Sequence, residues 1–219
     1  MHIGTLCEPI DNLLGGGVES GILTQIYGVA GSGKTSIALQ CALNCVSRGW
    51  KVIYIDADSS FSRKRFLQIS SRFKISSLSP FILLSPRSFT DQSDNIDSID
   101  ILAKEGVRLI VFDSVASLYR YSVGVDREEN VYINMELCRQ MAMLLRVAEQ
   151  SDVAGIIINQ VRGRLLQGAH ADSGPVASQV VDPWCKVSIR LERLGDSLRR
   201  KAILEKHYSR STNSSAEFS

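Results

Sequence analysis

The chain has 219 residues, 44% apolar and 22% charged, with a formal net charge of +2. That length suits one α/β domain with a sizeable core and is short for two, and the composition is globular rather than disordered. No apolar run approaches the ~18 residues of a membrane span, and the start, MHIGTLCEPIDNLL, has no basic segment leading into an apolar one, so neither a membrane partner nor a signal peptide is expected.

Taken in order, the apolar, β-branched runs at 23–27, 52–55, 81–84, 109–112, 155–158 and 187–191 read as strands. Several are almost purely apolar, as in LIVF and GIII, which is the pattern of strands buried on both faces of a parallel sheet. Helical spacing is found between them at 35–48, 63–73, 96–105 and 131–151; in the last, Leu137, Met141, Leu144, Leu145 and Ala148 form one stripe, which reads as core. The alternation predicts an α/β fold: a mostly parallel, twisted sheet flanked by helices, with ligands outside the carboxyl ends of the strands. No repeat or linker divides residues 1–219, and the Ser-rich 209–219 reads as a loose end or the start of a last strand. The five cysteines include no Cys-x-x-Cys pair and read as small hydrophobes in a reducing cytosol.

The sharpest motif follows the first predicted strand and opens the first predicted helix: Gly28, Val29, Ala30, Gly31, Ser32, Gly33, Lys34, Thr35, then Ser36. It fits G-x-x-x-x-G-K-[ST], the phosphate loop of nucleoside triphosphate sites. Glycines let successive amides turn inward onto oxygens, the helix start adds the positive end of its dipole, Lys34 supplies a charge for the β- and γ-phosphates, and Thr35 offers a hydroxyl to Mg²⁺. Such a loop needs an acid for the metal, and Asp113 ends the cleanest strand, LIVFD; an Asp capping the following helix is the other reading. Asp58, after VIYIDA, is either a general base facing the γ-phosphate or a turn carboxylate. Gln160 ends GIIINQ just before a long polar connection carrying Arg162 and Arg164, placing it where an amide can report the phosphate to a mobile loop. Residues 190–210 hold seven Lys/Arg against three acids. Arg199, Arg200 and Lys201 lie among them, which fits polynucleotide contact and equally a solvated face.

In this order the motifs resemble the RecA/RadA recombinase superfamily over essentially the whole chain, and the short archaeal RadA paralogues of the RadB group most closely. The resemblance rests on the lead-in Gly4-Thr-Leu-Cys-Glu-Pro-Ile-Asp11-Asn-Leu-Leu14-Gly-Gly-Gly17, the phosphate loop, Tyr54-Ile-Asp56, Leu118-Tyr119-Arg120, Leu144-Leu145-Arg146 and Asn159-Gln160-Val161. It implies a RecA-like ATPase core without the helical DNA-binding domain of RadA-type recombinases. Lys34, Thr35 and Asp113 then hold phosphate and Mg²⁺, Arg65 stacks on adenine, and Gln160 senses the γ-phosphate. Asp58 falls where the family carries a catalytic Glu, and the missing methylene implies slow hydrolysis. Residues 124–129, with Arg127, lie near the family's first DNA loop and 169–178 in its second. The implied protein is cytoplasmic and associated with the nucleoid. It binds ATP and DNA without marked sequence preference, single- or double-stranded, and assists a recombinase or another repair protein, with a homo-oligomer as a further expectation. A non-catalytic interaction module stabilised by ATP is the alternative.

Overall fold

The computed structural model describes residues 1–71, 78–104, 106–161, 174–195 and 198–219. In chain order the elements are β1 (His2–Ile3), α1 (Glu8–Leu14), β2 (Val18–Glu19), β3 (Leu23–Gly28), α2 (Lys34–Ser47), β4 (Lys51–Asp56), α3 (Arg63–Ser70), β5 (Phe81–Leu84), α4 (Phe89–Ala103), β6 (Val107–Asp113), α5 (Val115–Ser122), α6 (Arg127–Ser151), β7 (Ala154–Gln160), α7 (Ser178–Val181), β8 (Cys185–Arg193), β9 (Arg200–Lys206) and β10 (Ser215–Phe218). Eight strands form one sheet in the order β10-β9-β8-β3-β7-β6-β4-β5, and β1 pairs with β2 apart from it. From β8 to β5 neighbouring strands are parallel; β9 and β10 are added antiparallel.

The apolar strands divide by alternation. On β4 and β6, Val52, Tyr54, Leu109 and Val111 face α2 and α3, while Ile53, Ile55, Ile110 and Phe112 face α4 and α6. Each strand therefore fills two cores, and no polar stripe is left for solvent. Val147 joins the buried face of α6, whereas Leu145 lies half-buried at its edge. Cys41, Cys45 and Cys185 are buried free thiols, and burial pushes the Cys45 thiol up to about 12, so it stays protonated and packs as a hydrophobe.

Some boundaries differ from the sequence reading for local reasons. The last long helix starts at Arg127, not at 131, because Asp126 caps it by accepting from the amides of Glu128 and Glu129. The fourth helix starts at Phe89 because Ser88 accepts from the Asp91 amide. The helix read as 63–73 is seen as Arg63–Ser70, and residues 72–77 lie outside the described ones. Residues 215–218 are a strand, antiparallel to β9.

The topology sets up the site. β3 lies between β8 and β7, with β6 next beyond β7. In register, Gly28 stands opposite Gln160, and Asp56 opposite Asp113. The carboxyl ends of β3, β7, β6 and β4 thus bring residues far apart in sequence to one edge of the sheet.

Candidate functional site

The loop between β3 and α2 is a curl made by its glycines. Gly33, the residue before α2, has φ +101°, a conformation that favours glycine, and no side chain caps the helix. The first amides of α2 are therefore left for a ligand. Lys34 folds back across the loop: the residue is 9% exposed and its ammonium donates to the carbonyls of Gly28 and Val29, each at 2.9 Å. Among the described residues it forms no ion pair. Burial lowers its pKa, and the Asp113 and Asp58 carboxylates nearby oppose that shift. Ser32 Oγ, also inside the curl, is buried without a hydrogen-bond partner. A cation held only by neutral carbonyls, beside an orphaned hydroxyl and uncapped amides, suits a bound polyanion.

Asp113 is buried at the end of β6. It accepts from the Tyr54 phenol at 2.6 Å and is also hydrogen-bonded by Thr35, the second residue of α2. Burial raises its pKa, against the pull of those two hydrogen bonds. Asp113 and Thr35 thus supply a buried carboxylate and a hydroxyl in mutual contact, a donor set that suits Mg²⁺. Asp113→Asn is expected to stabilise the ligand-free chain at pH 7 by about 1 kcal/mol, because Asn still accepts from Tyr54 without a buried charge. The sign follows from the raised pKa: the burial penalty operates above the folded value and disappears as pH falls towards the usual carboxylate value. Thermal melts of both chains should converge in acid, and melts that separate further in acid would contradict this account of Asp113.

Asp56 accepts from the amides of Ser60 and Phe61 at 3.0 and 3.1 Å and thereby shapes the turn that carries Asp58. Asp58 is exposed and accepts from Ser117 Oγ at 2.6 Å. On β7, Gln160 Oε1 takes a 3.3 Å hydrogen bond from Arg120. Lys34, Thr35, Asp58, Asp113, Arg120 and Gln160 line one cavity of about 460 Å³. The base of the connection after β7 is tied: Asn159 Nδ2 donates to the Val176 carbonyl and the Val176 amide to the Gln160 carbonyl, both at 2.8 Å. Arg162, Arg164 and residues 169–173 of that connection lie outside the described residues.

Arg65 is on the first turn of α3, its guanidinium donating to Gln68 Oε1 at 3.1 Å. It lines a second cavity of about 770 Å³ together with Gly33, Ser36, Arg200 and Phe218, beside the start of α2. Arg127 is exposed at the start of α6. Arg199 forms an ion pair with Glu217 of β10, and Lys201 stands opposite Glu192 and Glu217 in the sheet, so this basic stretch faces its own acids. Sequence reasoning passed over Tyr54, Ser117 and Arg120 as members of the site. Their signals were faint: a phenol within an aliphatic strand, and two polar residues on the helix directly after LIVFD.

A phosphate-loop curl at the carboxyl edge of a parallel sheet, with an acid ending a strand of that sheet, has the form of a phosphate-loop nucleotide-binding core, and its likeness to the Rad51 family and to the RadB structure makes it RecA-like. The Rad51 family model matches residues 1–193. DNA repair and recombination protein RadB of Methanococcoides burtonii is 35% identical over 212 residues, 97% of this chain and 92% of that protein. RadB of Thermococcus kodakarensis is 36% identical over 213 residues, 94% and 90% of the two chains. The crystal structure of the RadB recombinase superposes with a TM-score of 0.82 at 33% identity, covering 99% of this chain and 94% of the other. The chain belongs to the Rad51 family and, within it, to the RadB DNA repair and recombination proteins. No helix among the described residues is long and apolar enough to cross a membrane.

Proposed function

We propose that this chain binds ATP with Mg²⁺, hydrolyses it slowly, binds DNA without marked sequence preference, and assists a RadA-type recombinase in repair. The reading is carried by the buried Lys34 ammonium, held by two carbonyls and, among the described residues, by no carboxylate, at the mouth of an uncapped helix. The amides from Gly28 to Ser36 bind the phosphates, and Arg65, which lines the cavity beside the start of α2, stacks on the base. Thr35 and Asp113 would hold Mg²⁺, which would supply positive charge to offset that of the triphosphate. Asp58 orients a water and takes its proton as the water oxygen bonds to the γ-phosphorus. The bridging P–O bond breaks with its electron pair on the departing ADP, leaving ADP and inorganic phosphate. Gln160, held by Arg120, carries the presence of the γ-phosphate to the connection that follows β7. Arg127, Arg162, Arg164, Arg199, Arg200 and Lys201 are the proposed DNA contacts.

ATP turnover measured with and without single-stranded DNA tests the reading. Wild type should exceed Lys34→Ala, and Asp58→Ala should fall to the Lys34→Ala level. Equal turnover in wild type and Lys34→Ala would remove the enzymatic part and leave an ATP-stabilised interaction module. For DNA, removing Arg162 and Arg164 together should flatten the plot of log affinity against log salt by about 1.4, on the order of 0.7 for each phosphate that is no longer neutralised. An unchanged slope rejects those two arginines as DNA ligands.

A further inference from the structure

The residue proposed as general base has a short side chain and sits on an exposed turn, and the structure shows what holds it. Ala57 and Asp58 hang by their amides on the Asp113 carbonyl, at 2.7 and 3.3 Å, so the backbone is fixed to the end of β6. That leaves the Asp58 side chain two torsions in which to miss its target. Across from it, α5 starts two residues after Asp113. Ser114 precedes this helix without capping it through its side chain; its hydroxyl lies 2.6 Å from that of Ser117 instead. Ser117 Oγ is in turn 2.6 Å from Asp58 Oδ1, and both serines are buried.

The proton directions in this chain follow from counting. The ionised Asp58 has no proton to give, so Ser117 donates to it. A hydroxyl has one proton, so the contact between the serines is a donation from Ser114 to Ser117. The result is a directed chain, Ser114 to Ser117 to Asp58 Oδ1, rooted in the residue next to Asp113. One carboxylate oxygen is held from the α5 side, while Oδ2 makes no hydrogen bond among the described residues. Hydrogen bonds aligned in one direction polarise each other, so the last, charge-assisted one is the strongest.

We infer that Ser117 is a positioning residue for Asp58, holding the carboxylate at the phosphate cavity so that its second oxygen meets the attacking water. The inference rests on the proposed hydrolytic reading. It deepens it by naming a group outside the phosphate loop that sets the rate without touching nucleotide.

The test uses the full chain with ATP, Mg²⁺ and single-stranded DNA. Ser117→Ala is expected to lower kcat by about ten- to a hundredfold, the scale of loss when a reacting group is misplaced by about 1 Å. The KM for ATP should stay at its wild-type value, because the phosphate loop keeps all its own hydrogen bonds, while the thermal midpoint falls by a few degrees because the buried Ser114 hydroxyl loses its acceptor. Added to Asp58→Ala, it should cause no further loss. Wild-type kcat in Ser117→Ala, or a rise in KM matching the fall in kcat, overturns the inference alone. Wild-type turnover no higher than that of Lys34→Ala overturns the hydrolytic reading and this inference with it.

Discussion

Lys34→Met is expected to lose ATP affinity by about a hundred- to a thousandfold while leaving the ligand-free chain at least as stable as wild type. The two halves have one cause. The Lys34 ammonium is buried against two carbonyls, with no carboxylate paired to it among the described residues, so the ligand-free fold carries an incompletely compensated charge. A triphosphate supplies the missing anion, and charge-assisted hydrogen bonds in a site shielded from water are worth about 3–4 kcal/mol. Met keeps the stem's volume and removes both the burial penalty and the attraction. Melts with and without ATP and Mg²⁺ separate these effects: wild type should gain about 2.7 kcal/mol when ligand is at a hundred times its Kd, and the variant almost nothing at the same concentration. The lysine's lowered pKa adds a signature in alkali. Between the folded value and the higher ordinary one the unfolded chain binds more protons, so wild-type stability gains from rising pH there, and Lys34→Met lacks that gain. An undiminished ATP shift in the variant would mean that the nucleotide binds elsewhere.

How legible this site was depends on what each residue answers to. Lys34, Thr35 and Asp113 were readable because their chemistry fixes their spacing along the chain: a strand, a curl, a helix, and an acid ending another apolar strand. That Val52, Ile53, Tyr54 and Ile55 are all buried, on alternate faces of the sheet, followed from composition, since a strand with no polar face must be covered on both sides. The hydrogen bond from Tyr54 to Asp113 was not readable, because it depends on β4 and β6 being neighbours, which periodicity does not specify. The same holds for Ser117 and Asp58, brought together across 59 positions. The region 190–210 was legible in its charge but not in its pairing. Its charge count was correct, but the acids that neutralise it are partly beyond it, as Glu217 is for Arg199, and a linear window does not include cross-strand partners. Residues 200–206 offered charge where the pattern calls for alternation, and the strand there follows from pairing on both sides with β8 and β10.

Gly28→Ala is the substitution from which the fold and the site should suffer together. A Cβ built at Gly28 lies 2.2 Å from the Leu191 carbonyl oxygen and 2.9 Å from Ser32 Oγ. The hydroxyl can turn away, but the carbonyl belongs to β8, which is paired along its length with β3 on one side and β9 on the other. Relief therefore requires moving backbone, and β3 cannot shift freely because β7 holds its opposite edge. Overpacking of this kind costs about 1–3 kcal/mol or more, and for a chain of this size each kcal/mol lowers the melting midpoint by about 2–4 °C. A fall of roughly 5–10 °C is expected on that scale. The same displacement moves the Gly28 carbonyl away from Lys34, so ATP affinity should drop by at least about tenfold at a temperature where the variant is fully folded. Gly124→Ala serves as the control, since a Cβ there meets nothing within 4 Å. If both alanine variants melt alike, the close approach of β3 to β8 does not set the position of the loop. If Gly28→Ala melts early yet binds ATP as wild type does, the strand and the Lys34 cradle are mechanically separable, and β3 is not the rigid seat of the phosphate loop.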